Sequence, residues 1–271
     1  MRTVVAAALG LAAAVAALVT VPLTWVAQNV SSEDGYVALT EPLVSDSALQ
    51  EAVAAYVAET LVDRASLPGS LQPTITAALS AAADKAGSDP GLVEAWAQTQ
   101  AHSHQATFGP DGDGSIMLDV APLASYLTDV VGTSLPVGLS LPGNLPVAVA
   151  DPGPTLLHQV IEAPDRAALG AVATAVLALA ALVAARRRGV ALAWLGVGAL
   201  AVAGALTAVR ELVVPGLIER AEGTTALGRT LRTLLVERVT DSLGSWLLMV
   251  AIGGGVAVVA GLLVRVVAER S

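Results

Sequence analysis

The chain has 271 residues, thirteen Arg but one Lys, a formal charge of −9 and no cysteine. It is 55% hydrophobic yet only 3% aromatic, with a mean hydropathy of +0.70. Disulfides and cysteine-based metal or nucleophilic chemistry are excluded, the acidic balance argues against nucleic acid, and long runs of Ala, Val, Leu and Gly suit helices packed in lipid better than a water-soluble core.

Residues 4–27 are apolar or small apart from two threonines. A helix of that length rises about 36 Å, enough to cross a hydrocarbon core of ~30 Å. Arg2 ahead of it favours an internal amino terminus. Pro22, Trp25 and Gln28 read as an interfacial exit, so residues 1–28 are expected to form an uncleaved signal anchor rather than a cleaved signal peptide.

The segment that follows, expected to be an extracytoplasmic domain over residues 29–166, is strongly acidic. Residues 28–165 hold seventeen carboxylates against Arg64 and Lys85, a net of −15. Such an exterior keeps a domain soluble and off anionic headgroups. Ser47 with Gln50 reads as a capping box, and Leu49, Val53, Tyr56, Val57 and Leu61 then recur on one helical face. The Leu67-Pro68-Gly69 break ends that helix. A second helix over 71–86 presents Leu71, Ile75, Leu79 and Ala82. Asp89 followed by Pro90 opens a third, which turns Leu92, Val93 and Trp96 inward. Asp111-Gly112-Asp113-Gly114 is a turn, 115–120 a strand, 122–131 a short helix and 145–150 a partner strand. Residues 155–166 form a helix leading into the second span.

That span covers residues 167–185 and stops at Arg186, Arg187 and Arg188; a third covers 189–208. An arginine hairpin between two apolar runs belongs in the cytoplasm. Residues 209–244 mix charges with a face of Leu227, Leu231, Leu234 and Leu235, an amphipathic outer segment that either rests on the interface or caps the outer domain. Pro215-Gly216 is expected to interrupt the exit from the third span, and Arg210 to anchor its edge, paired with Glu211 or an outer carboxylate. The fourth span covers 245–264, followed by Arg265 and Arg270 in a short tail ending at 271. Arg2, Arg186, Arg187, Arg188, Arg265 and Arg270 are thus the topology-determining residues, all on one side. The spans carry no charge in their central turns, which argues against a pump or coupled transporter. Small residues at four-residue spacing, Ala6, Gly10 and Ala14, then Gly253, Ala257 and Gly261, fit packing within one chain or a homo-oligomeric seam.

Candidate chemistry is sparse. His102 and His104 would share a strand face but diverge by about 200° on the helix expected there, and His158 is a distant third ligand, so no metal or cofactor is expected. Asp111 to Ser115 has the opening of a calcium loop, but a Gly stands at the fourth place and no closing Glu follows. The nucleophile elbow, Ser-x-x-Lys and His-Glu-x-x-His patterns are absent, and no catalytic residue is assigned.

The run Asp34-Gly35-Tyr36-Val37-Ala38-Leu39-Thr40-Glu41-Pro42-Leu43, then Asp46, Leu49, Gln50 and Val53, resembles a group of uncharacterised actinobacterial integral membrane proteins. Asp89-Pro90, Trp96, Ala101-His102, the stretch 116–123 and the arginine turn leading to Trp194 extend the likeness. The resemblance implies a cell-envelope membrane protein and transfers no catalytic residue. Together these readings give a mainly α membrane protein: four transmembrane helices, with a small, mostly helical α+β domain inserted between the first and second. Both termini are expected in the cytoplasm. The expected role is non-enzymatic binding, sensing or scaffolding with the bilayer and an envelope or membrane protein as partners. The alternatives are an envelope hydrolase using outer carboxylates and histidines, or an accessory subunit of a transport complex.

Overall fold

The computed structural model describes residues 1–64, 68–86, 89–109, 115–132, 143–150, 153–218 and 225–270. The chain is mostly helical and forms two compact units: residues 1–30, 160–220 and 239–271 make one, residues 31–159 and 221–238 the other.

Among the described residues four helices are long and apolar enough to cross a membrane, and their apolar lengths make up the first unit. Helix α1 is Arg2–Val26 and ends in a π-helical turn, Ala27–Ser31. A π turn shifts the backbone register and loosens a carbonyl; here the Asn29 side-chain amide donates to the Trp25 carbonyl at 2.9 Å. Two helices, Ala163–Ala184 and Arg188–Ile218, are joined by the arginine turn, and Ala226–Arg270 supplies the fourth span. In chain order these three are α8, α9 and α10.

Close approach in this unit depends on glycine. A Cβ on Gly196 would lie 2.5 Å from the Gly254 carbonyl oxygen, and one on Gly261 would lie 2.5 Å from that of Gly189. Gly189 and Gly196 are seven residues apart on α9, as are Gly254 and Gly261 on α10. The two helices therefore run antiparallel with a seven-residue repeat of bare backbone, and a 3.5-residue periodicity keeps such a seam aligned. Of the expected stripe of Gly253, Ala257 and Gly261, Gly261 lies in this seam, whereas Gly253 has nothing within 4 Å and Gly254 takes its place there. Gly10 of α1 meets Leu195, and Ala14 meets Gly198, so α1 runs alongside α9 in the same direction. Thr20 packs on Gly170 and hydrogen bonds Thr174 of α8 at 3.4 Å. The outward faces are aliphatic: Leu169, Val172, Val176, Leu179 and Val183 on α8, and Met249, Ile252, Val256 and Val259 on α10, are exposed.

The second unit opens with α2 (Glu33–Thr40) and a 3-10 turn, Glu41–Ser45. Then come α3 (Ser47–Arg64), α4 (Gln72–Ala86), α5 (Pro90–Phe108), β1 (Ile116–Asp119), α6 (Ala121–Gly132), β2 (Pro146–Ala150) and α7 (Pro154–Ile161). The strands form a two-stranded antiparallel sheet that pairs Leu118 with Val147 and Asp119 with Pro146. A helix separates them, so they are not a tight hairpin. The core gathers Leu49, Val53 and Val57 of α3, Leu79 of α4, Leu92 and Trp96 of α5, Leu127 of α6 and Val147 of β2.

Several sequence expectations are corrected. Asp46, not Ser47, caps α3: its Oδ1 accepts from the Ala48 and Leu49 amides at 2.9 and 3.1 Å. Gln50 reaches past the cap, its Nε2 donating to the Val44 carbonyl at 2.8 Å. Leu71 lies in a 3-10 turn ahead of α4 and is exposed. Residues 155–166 are not one helix, because α7 ends at Ile161 and α8 starts at Ala163. Pro215-Gly216 does not interrupt α9, whose helical backbone runs to Ile218. The amphipathic segment and the fourth span are a single 45-residue helix, since no Pro interrupts residues 226–270. Of the two placements left open for that segment, the structure shows packing in the domain: Leu227 and Leu231 are core residues, with Leu234 and Leu235 against them. Thr225 caps α10 by accepting from the Gly228 amide at 3.0 Å, and a Cβ on Gly228 would lie 2.7 Å from the Ala148 oxygen of β2. The Asp111-Gly112-Asp113-Gly114 turn, Leu67 and residues 133–142 between α6 and β2 lie outside the described residues.

Candidate functional site

Polar side chains in the second unit converge on the outer edge of β1. A two-stranded sheet leaves one edge of each strand without a backbone partner, and buried N–H groups there must be satisfied otherwise. Thr99, Ser103 and Thr107 stand at i, i+4 and i+8 on α5, hence on one face, and all are buried. Thr107 Oγ1 accepts from the Met117 amide at 3.2 Å and Ser103 Oγ from the Asp119 amide at 2.9 Å. Thr99 Oγ1 accepts from the Leu123 amide at 3.2 Å, at the start of α6. The helix thus stands in for a third strand, with hydroxyls in place of carbonyls.

Asp119 is the junction. Its Oδ1 accepts from the Ala121 amide at 3.1 Å and the Leu145 amide at 2.8 Å, tying the end of β1 to α6 and to the approach to β2. Its Oδ2 lies 3.8 Å from His102 Nδ1, and the imidazole is 55% exposed. Ser, His and Asp meet here, but not as a nucleophilic triad. Ser103 follows His102 directly, so the two diverge by about 100° on the helix, and its hydroxyl already donates to the Thr99 carbonyl. The group is a buried, hydrogen-bonded frame. Gln100 is also buried on α5, and its Nε2 has no hydrogen-bond partner among the described residues.

The histidines separate as the helical reading of 102 and 104 requires. His104 is buried between Tyr36 and Phe108, with ring centroids 5.5 and 4.8 Å away, while His158 sits exposed on α7. Among the described residues no three His, Asp or Glu side chains are grouped to hold a metal. Burial pushes the Tyr36 hydroxyl up to about 12. Trp96 Nε1 donates to the Thr40 carbonyl at 2.9 Å and Arg238 Nε to the Leu39 carbonyl at 3.1 Å, so side chains remote in sequence cap the end of α2. A cavity of about 10 Å³ beside Trp96, Leu92 and Leu127 is almost wholly apolar, a packing gap no larger than a water.

In the first unit the arginines sort by end. The Gly10–Leu195 and Gly189–Gly261 contacts put Arg2, the turn of Arg186, Arg187 and Arg188, and Arg265 at one end of the four helices. All five are exposed. Arg270 lies in the last turn of α10, its side chain outside the described residues. The opposite end carries mixed charge. Arg166 pairs with Glu162, and Arg210 NH2 pairs with Glu211 at 3.2 Å. The Arg210 guanidinium packs against Gly244, where any Cβ would collide with it. Trp25 Nε1 donates to Ser242 Oγ at 3.2 Å.

The hydroxyl ladder of Thr99, Ser103 and Thr107 is legible in the sequence only as an i, i+4, i+8 spacing, a pattern shared by many solvated helix faces. Asp119 carried no local signal, because Leu145 is 26 residues away. No family model matches the chain, and neither a curated protein nor a solved structure matches it.

Proposed function

We propose that this chain is an integral protein of the cytoplasmic membrane that displays an acidic extracytoplasmic domain and acts by binding, sensing or scaffolding through it. The observation that carries the reading is the division of labour between the two units. One has aliphatic outward faces and uncharged central turns, as lipid requires; the other has its own core and most of the acid excess. Gathering of Arg2, Arg186, Arg187, Arg188 and Arg265 at one end supports a cytoplasmic position for that end. The chain leaves α1 and returns to α8 at the helix ends away from those arginines, which supports an outer position for the second unit. Commitment of Ser103, Thr99 and Asp119 to the β1 edge favours a binding surface over a hydrolytic centre.

The test compares the tagged full-length chain with a Trp96→Ala, Leu127→Ala variant whose outer core is weakened, both extracted gently from membranes. A partner retained at fixed stoichiometry by the native chain and lost from the variant supports the reading. Equal recovery from both, or no specific partner, would contradict it.

A further inference from the structure

The arginine end of the first unit has a second property that orientation does not require. Arg186, Arg187 and Arg188 follow one another in the turn, and all three are exposed. Beside it Trp194 projects outward, 69% exposed, although a large aromatic is rare in this chain. Trp194 lies seven residues beyond Arg187, and the Ala191 amide already donates to the Arg187 carbonyl at 3.1 Å, so Arg187 is in helical register. Two turns bring the residues to the same face, about 10 Å apart along α9. Val197, also exposed, lies one turn further along α9, away from the arginines.

From this juxtaposition we infer that the arginine end binds acidic phospholipid, with Arg187 and its neighbours holding the phosphate and Trp194 packed along the glycerol and upper acyl region. Guanidinium groups match phosphate oxygens in charge and geometry, and basic clusters at the ends of membrane helices select anionic headgroups. Tryptophan favours the interfacial level at which such a lipid leaves the headgroup layer. A free phosphate ion would use the arginines and gain nothing from Trp194, so the pair of residues favours the lipid as the source of the phosphate. The inference rests on the membrane reading above but not on the placement of the outer domain.

Native mass spectrometry of the full-length chain in micelles doped with phosphatidylglycerol or phosphatidylcholine tests it. Phosphatidylglycerol should be retained preferentially, and Arg187→Gln should weaken its retention about five-fold. Trp194→Leu, at an exposed position that cannot disturb packing, should also reduce retention and serves if Arg187→Gln fails to fold. Arg64→Gln, on α3, should leave it unchanged. Equal retention of the two lipids, or a preference that survives both Arg187→Gln and Trp194→Leu, would overturn the inference. So would complete displacement by millimolar inorganic phosphate. A chain that reconstitutes stably into liposomes but shows no lipid preference refutes only this inference, whereas one that does not remain in bilayers refutes the membrane reading.

Discussion

Asp119 carries more of the second unit than its place at the end of a four-residue strand suggests. Its carboxylate satisfies the Ala121 and Leu145 amides, which would otherwise be buried without acceptors. Asp119→Ala should therefore cost about 2–4 kcal/mol, the penalty for two unsatisfied N–H groups, while Asp119→Asn, which keeps one carbonyl acceptor, should cost less. Denaturant unfolding followed through Trp96 checks the order; equal losses would assign the effect to charge instead. Tyr36 gives the pH dependence. Its hydroxyl is pushed up to about 12 from 10.0 by burial, so the folded state favours the protonated form. That contribution is fully present below pH 10 and lost as pH rises toward 12. Tyr36→Phe should flatten the fall in stability across that window, and an unchanged profile would show that Tyr36 is not its source.

Among the elements, helices with a strong apolar face and an unambiguous cap were legible. Asp89 and Pro90 open α5 as read, with Asp89 Oδ1 accepting from the Gly91 amide at 2.7 Å. The start of α3 offers two good caps, Asp46 and Ser47, and the geometry of the preceding 3-10 turn selects Asp46. The boundary at 244–245 followed a change in hydropathy that the α10 backbone ignores. Glycines were the least legible: spacing identified small residues, but only the facing helix tells Gly254 from Gly253. The seam makes a direct prediction. Gly196→Leu should destabilise the first unit by at least the 1–3 kcal/mol typical of overpacking, because backbone rather than a movable side chain faces it. Gly253→Leu, where nothing lies within 4 Å, should be tolerated. Thermal melting in detergent separates the two, and equal destabilisation would contradict the seam.

For the molecule as a whole, the arginine pattern and the four apolar runs were visible in the sequence because membrane insertion reads those same local features. The assembly of the second unit was not, since Leu227 and Leu231 join its core after two intervening apolar helices. Absence of cysteine from the chain permits a direct test of its orientation. Ser125→Cys lies on the exposed face of α6 in the second unit, and Thr3→Cys lies exposed beside Arg2. With intact cells and a membrane-impermeant maleimide, Ser125→Cys should be labelled, and Thr3→Cys should react only after the membrane is opened. Labelling of Thr3→Cys in intact cells with protection of Ser125→Cys would invert the topology and contradict the account.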